Sequence, residues 1–196
     1  GIRNQEQRAG FVFPSAIEAV NLRGIPAKNS QLAMPGESPL FGGALLAQAP
    51  TWNDVEWLCR ISKLPVLLKG ILSAKDAEKA IAAGAAGLIV SNHGGRVLDT
   101  LPASINALSA ITQTVNKQIP VLLDGGIRRG TDVIKALALG ANAVLIGRPY
   151  MHGLAVAGAV GVAHVLHILR TELEVAMALT GCATLADISP DILFQR

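Results

Sequence analysis

Cysteine is nearly absent: Cys59 and Cys182 are the only two in 196 residues. That excludes a disulfide framework and makes a reducing compartment the default expectation. Both read as buried thiols, because neither has a catalytic partner nearby in sequence. Aromatic residues make up 4% and charged residues 16%, with a net charge of only +3 and no dense Lys/Arg block. Nucleic acid is therefore not expected as a partner. Lys, Asp, Glu or Arg is expected to interrupt each apolar run short of the roughly 18 residues a membrane helix needs, so no membrane span is anticipated. A metal centre lacks ligands as well. His164 and His167 are three apart, but no cysteine or carboxylate completes a set, so both are read as a solvated helix face. His152 carries no signal of its own. The chain begins at Gly1 rather than Met, with no signal-peptide pattern. That start reads as a piece of something longer, and the expected compartment is the cytoplasm.

What is present is aliphatic residues and glycine. Hydrophobic residues reach 51%, which excludes disorder as the dominant state, and 20 glycines imply many tight turns. Residues 1–50 show little periodicity and many breakers, including Met34-Pro35-Gly36 and Phe41-Gly42-Gly43. They read as an irregular loop or lid, with a short helix around Ser15–Asn21. From Thr51 to Arg196 the pattern is regular. Thr51-Trp52-Asn53-Asp54 resembles a capping box opening a helix to Ser62, and Pro65–Lys69 is an apolar strand. Ser73 caps a helix that Gly84 ends, and Gly87–Ser91 is the next strand. A helix over Ser104–Thr114, a strand over Pro120–Asp124, a helix from Thr131 to Gly140 and a strand over Ala143–Gly147 follow. An amphipathic helix over Val156–Leu179 closes the regular part, and Pro190 marks the tail.

Short connections between alternating helices and strands imply a parallel sheet. The pattern also repeats. Pro65-Val-Leu-Leu-Lys69 recurs as Pro120-Val-Leu-Leu-Asp124, 55 residues later, and Asp76–Gly84 recurs as Asp132–Gly140. Repeated βα units with strands buried on both faces fit half of a (β/α)8 TIM barrel, an α/β fold that normally takes about 250 residues. A small doubly wound sheet is the second reading. The barrel is preferred because each strand ends in polar residues, where barrels build their active sites: Lys69, Ser91-Asn92-His93, Asp124 and Gly147-Arg148.

Two segments carry chemistry. In Ser91-Asn92-His93-Gly94-Gly95-Arg96, a strand delivers a histidine able to accept a proton near neutral pH, and Arg96 offers a fork for a carboxylate. A histidine bonded to a loop carbonyl, with Arg96 paired to Asp99, is the plainer reading. In Asp124-Gly125-Gly126-Ile127-Arg128, together with Gly147-Arg148, paired glycines and two arginines suit a phosphate, as in loops after the last strands of such barrels. Lys69 either pairs with an acid such as Asp124 or stabilises negative charge on a bound ring.

Together these segments, with Pro-Val-Leu-Leu-Lys69-Gly-Ile and Ile-Gly147-Arg148-Pro, resemble the FMN-dependent 2-hydroxy acid oxidase and dehydrogenase family. The match runs from about Thr51 to Ile188. In addition, Gly1-Ile2-Arg3 followed by Arg8-Ala9-Gly10-Phe11 looks like the segment after barrel strand 4. The resemblance implies strands 5–8 of an FMN-binding barrel that oxidises a small (S)-2-hydroxy acid, with oxygen as the expected acceptor. It implies His93 as base, with Arg3 and Arg96 on the substrate carboxylate. Lys69 would lie near flavin N1 and Ser91 on the flavin ring. Asp124, Gly125, Gly126, Ile127 and Arg128 would hold the ribityl chain and phosphate, and Gly147 and Arg148 would complete the phosphate cradle. It further implies a partner, the N-terminal half of the same barrel, and a homo-oligomer, expected as a tetramer. Another flavin- or phosphate-binding barrel enzyme, or a non-catalytic half-barrel module, are the alternatives.

Overall fold

The computed structural model describes Gly10, Ser15, Glu18, residues 20–24 and residues 49–194. The chain divides after residue 49 into two units. In the first, the described residues include one turn of 3-10 helix at Val20–Leu22. Within the helix expected over 15–21, Ser15 and Glu18 are described and are not helical, while residues 16, 17 and 19, with most of the segment read as a lid, lie outside the described residues.

The second unit alternates as the periodicity predicts: α1 (Trp52–Ile61), β1 (Leu67–Ile71), α2 (Ala74–Ala82), β2 (Gly87–Val90), α3 (Ser104–Val115), β3 (Val121–Asp124), α4 (Gly130–Ala138), β4 (Ala143–Leu145) and α5 (Arg148–Leu179). Local chemistry sets these bounds. The Thr51 amide and hydroxyl both donate to Asp54 Oδ2, at 2.7 and 2.6 Å, and open α1. Ser73 Oγ accepts the Asp76 amide at 3.1 Å and opens α2. Gly84 and Gly140, at φ 85 and 97, take the left-handed turn that follows α2 and α4.

The four strands are all parallel and lie in the order β1-β2-β3-β4. A doubly wound sheet reverses its strand order at a switch point, whereas a barrel adds each strand beside the last. Sequential order therefore sets aside the doubly wound reading. On one sheet face Leu88, Val90, Val121 and Leu123 are buried in the same core as Leu108, Ile111 and Val115 of α3 and Ala77 and Ala80 of α2. On the other face, in register across the strands, Ile89 and Leu122 are only half-buried and Ala143 is exposed. The strands are thus covered on one face, not on both as their apolar composition implied. The open face is the one that would line a closed barrel.

Two further expectations need correction. The last helix begins at Arg148, eight residues before the predicted start, with Pro149 in its first turn. In addition, residues 149–169 contain no Asp, Glu, Lys or Arg, and α5 is long and apolar enough to cross a membrane by length and composition. The expectation that charge breaks every apolar run fails here. In the fold, that run is split by non-helical backbone at Ala157 and Gly158, around which Gly153 packs against Gly161. A Cβ on Gly161 would lie 1.9 Å from the Gly153 carbonyl oxygen, so only glycine permits this approach. Further along, Glu172 accepts from the Gly130 amide at 2.9 Å and from Arg129 at 3.1 Å, tying α5 to the start of α4.

Candidate functional site

Parallel pairing places every strand's C-terminal end on the same rim, and there a groove of about 840 Å³ opens. Its walls come from Lys69 of β1, the loop after β2 at 92–96, the loop after β3 at 124–128, and the residues from Leu145 to His152. Such a volume lies within the usual range of small-molecule and cofactor sites.

Lys69 reaches the rim because β1 carries a bulge at Gly70: Lys69 pairs with Ile89, yet Ile71 pairs with the adjacent Val90. Gly70 stands at φ 103, which a side chain would resist. Lys69 Nζ lies 2.6 Å from Asp124 Oδ2 and donates to Ser91 Oγ at 2.9 Å. The acid pairing considered for Lys69 is therefore present. With these two contacts made, one ammonium donor remains for the groove. Ser91 is buried at 2% exposure and lies behind the groove wall. Its Oγ also accepts the His93 amide at 3.0 Å, so Ser91 joins Lys69 to the histidine loop.

His93 itself is exposed on the groove at φ 56, a left-handed conformation uncommon for a residue with a side chain. Gly95 donates to Asn92 Oδ1 at 3.2 Å and to the Asn92 carbonyl at 3.0 Å, which closes the turn. Asn92 in turn donates from its amide to Ser104 Oγ at 3.1 Å and from its side chain to the Pro102 carbonyl at 3.1 Å. Arg96 lines the same groove. Arg3, expected at the substrate carboxylate, lies outside the described residues.

In the loop after β3, Gly125 and Gly126 stand at φ 88 and 83. A Cβ on Gly125 would come within 3.1 Å of Ser104 Oγ and 3.3 Å of Asn92 Oδ1, so the bare backbone there is needed to seat the neighbouring loop. Arg128 and Arg148 both face the groove. The amides of Arg128 and Arg129 do not supply donors to it, because each donates to Asp132 Oδ2 at 2.9 Å and caps α4. Ile127 is buried and anchors the loop in the core. Gly147 precedes α5, and the Arg148 guanidinium donates through Nη2 to the Gly94 carbonyl.

Sequence reasoning gave Asn92 no role of its own, set His152 aside and did not single out Ser104 or Tyr150 as a site residue, yet all four line the groove. The Asn-x-x-Gly turn was there to read, and His152 stands one helical turn beyond Arg148. Ser104, twelve residues from its partner Asn92, had no local signal.

The sheet and groove together define a half-barrel of the (β/α)8 class, with a binding site at its strand ends. A sequence model of FMN-dependent dehydrogenases matches residues 1–195, and the chain belongs to that family. It is 52% identical to an L-lactate oxidase of Roseobacter sp. (strain GAI101) over 98% of this chain and 52% of the relative. It is 56% identical to a 2-hydroxyacid oxidase of Dictyostelium discoideum over 100% of this chain and 50% of that protein. A solved mandelate oxidase mutant with (S)-mandelic acid superposes with a TM-score of 0.76 at 42% identity, covering 95% of this chain and 49% of the other. The chain thus spans about half the length of the curated relatives it matches.

The residues present fit the family's cofactor, FMN. Asp124 Oδ1 is buried with no hydrogen-bond partner among the described residues, and it suits a ligand hydroxyl of a polyol chain. The Arg128 and Arg148 guanidinium groups lining the groove suit a phosphate. Lys69, at the other side of Asp124, suits an electron-rich ring edge.

Proposed function

We propose that this chain forms the C-terminal half of the catalytic barrel of an FMN-dependent (S)-2-hydroxy acid oxidase, which converts a small 2-hydroxy acid to its 2-oxo acid. The observation that carries this reading is the convergence of His93, Arg96, Lys69, Asp124, Arg128 and Arg148 on one groove. FMN, when bound, supplies the two-electron acceptor.

The chain's own residues supply binding and proton handling. Arg96 offers a bidentate fork to the substrate carboxylate, and Arg3 is assigned as a second cation toward the same group. That anchoring holds the substrate's C2 end at the His93 imidazole, whose unprotonated ring nitrogen accepts a proton from the hydroxy acid. Lys69 holds positive charge at flavin N1. Asp124 accepts from the ribityl chain, and Arg128 and Arg148 hold the phosphate.

The open face of the sheet supports a partner: the first half of the barrel, with strands that cover Ile89, Leu122 and Ala143. A parallel sheet is found almost only with both faces covered. Residues 1–50 are assigned a lid role on composition alone. The unpaired thiols Cys59 and Cys182 support a cytoplasmic location, and oxygen as acceptor and a homotetramer complete the proposal.

The test uses the protein assembled with its first half. Heat-released chromophore should have the mass of FMN, and glycolate, lactate or mandelate should bleach the bound flavin anaerobically. Release of FAD, a colourless assembled protein, or indifference to all three acids would overturn the assignment.

A further inference from the structure

Arg148 and the His93 loop belong to different strands, yet they touch. The guanidinium leaves the start of α5, after β4, and donates to the Gly94 carbonyl in the loop after β2. The two residues are 54 apart in sequence. Gly94 is shaped around this contact. It stands at φ 66, and a Cβ built there would lie 2.6 Å from Arg148 Nη2, so a side chain at this position would push the guanidinium aside. Gly95, its neighbour, stands at φ 75 with nothing within 4 Å of the same construction.

The loop is also held from α3, where Ser104 Oγ accepts the Asn92 amide, and by its own residues. Ser91 Oγ holds the His93 amide, and Asn92 holds the Gly95 amide. Arg148 adds a tie from the start of α5, and it reaches the residue next to His93. An arginine has five N–H donors in a rigid fork, enough to serve a carbonyl and an anion at once.

We propose that Arg148 is a positioning residue for His93: it ties the start of α5 to the Gly94 carbonyl, so an anion bound to the same guanidinium stiffens the loop that carries the base. The proposal rests on the flavin-oxidase reading for the identity of the anion, but the strut itself is a contact within the chain. An anion drawing on the same fork fixes the guanidinium in space. A fixed guanidinium narrows the positions open to Gly94 and hence to a histidine already held in a sparsely populated conformation.

Hydrogen exchange at the His93 and Gly95 amides in the assembled apoprotein reads this directly, with inorganic phosphate as the probe. Phosphate should slow exchange at both amides. Arg148→Lys keeps the charge and loses the fork. Without phosphate it should speed exchange at both amides about ten-fold, the scale of one charge-assisted hydrogen bond, and it should abolish the phosphate effect. Gly94→Ala should do the same by displacing the guanidinium. Gly95→Ala bears the same left-handed backbone penalty without striking Arg148, and should leave the phosphate effect intact. Arg128→Lys, in the same groove but without the Gly94 contact, should weaken phosphate binding and leave exchange without phosphate unchanged.

If Arg148→Lys exchanges like the parent, or if Gly94→Ala and Gly95→Ala behave alike, the strut is refuted whatever cofactor binds. If the assembled protein holds no flavin but both exchange effects appear, the flavin reading fails and the strut stands. If phosphate binds with no change in exchange in the parent, the coupling is refuted.

Discussion

His93 occupies a conformation that costs about 1–3 kcal/mol for a residue with a Cβ, and neighbours that over-determine it are what make such a position tenable. Those neighbours are Ser91 Oγ beneath its amide, the Asn92–Gly95 turn beside it, and Arg148 across the groove. His93→Gln should therefore retain the loop and the flavin while removing the proton acceptor. General-base catalysis contributes about 10²–10⁴-fold, and stopped-flow bleaching by substrate in the assembled protein should slow by at least the lower figure. Bleaching within a few-fold of the parent would remove His93 from its assigned role. Arg96→Lys keeps the charge and loses the fork. The same bleaching traces should then show a raised substrate half-saturation, with the limiting rate affected less. At this scale the His-Gly-Gly-Arg and Asp-Gly-Gly-x-Arg spacings were legible because adjacent residues on one strand end share one loop. The Lys69–Ser91–His93 chain and the capture of the Arg128 and Arg129 amides by Asp132 were not. They depend on where loops from different strands pass one another.

Helices and strands were legible wherever a cap or a breaker stood at their ends. Thr51 with Asp54 is the clearest case, and it carries a pH prediction. Hydrogen bonds from the Thr51 hydroxyl and then its amide hold the Asp54 carboxyl below the ordinary aspartate range. A carboxyl depressed in the folded state contributes stability above its unfolded pKa, and that stability is lost as the pH falls through the folded value. Asp54→Asn should accordingly lower the thermal midpoint at neutral pH. The gap to the parent should close as the solution is acidified through the carboxylate range, as thermal scans across pH would show. A gap that stays constant down to strong acid would count against the cap's ionic character. The long last helix was less legible. Between 149 and 169 the sequence is apolar all round, so no face could be distinguished, and the Pro149 start signal was the better guide. The bulge at Gly70 likewise follows from register with β2, which a single strand cannot reveal; its only trace was a lone glycine in an apolar run.

For the molecule as a whole, the sheet is half-finished. β1 and β4 are edges, one face is open, and large apolar side chains such as Leu64 at 76% and Val160 at 75% exposure lie outside the core. Edges and apolar patches of this kind promote association. The 196-residue chain prepared alone should therefore self-associate in sedimentation velocity, and supplying the first half of the barrel should convert it to a defined species that retains flavin. A monodisperse monomer of the lone chain at micromolar concentration would show that the open face needs no cover. By itself the sequence determined the alternation of elements, the parallel sense of the strands and the polar residues at their ends. These follow from periodicity, short connections and motifs within single loops, all of which act between residues close in the chain. Only the tertiary structure decided that the strands run in unbroken order, that one sheet face stays open, that α5 breaks at Ala157 and Gly158, and that Arg148 reaches Gly94. Each of those depends on contacts between residues tens of positions apart, or on a surface left without a partner, and neither is encoded in any local pattern.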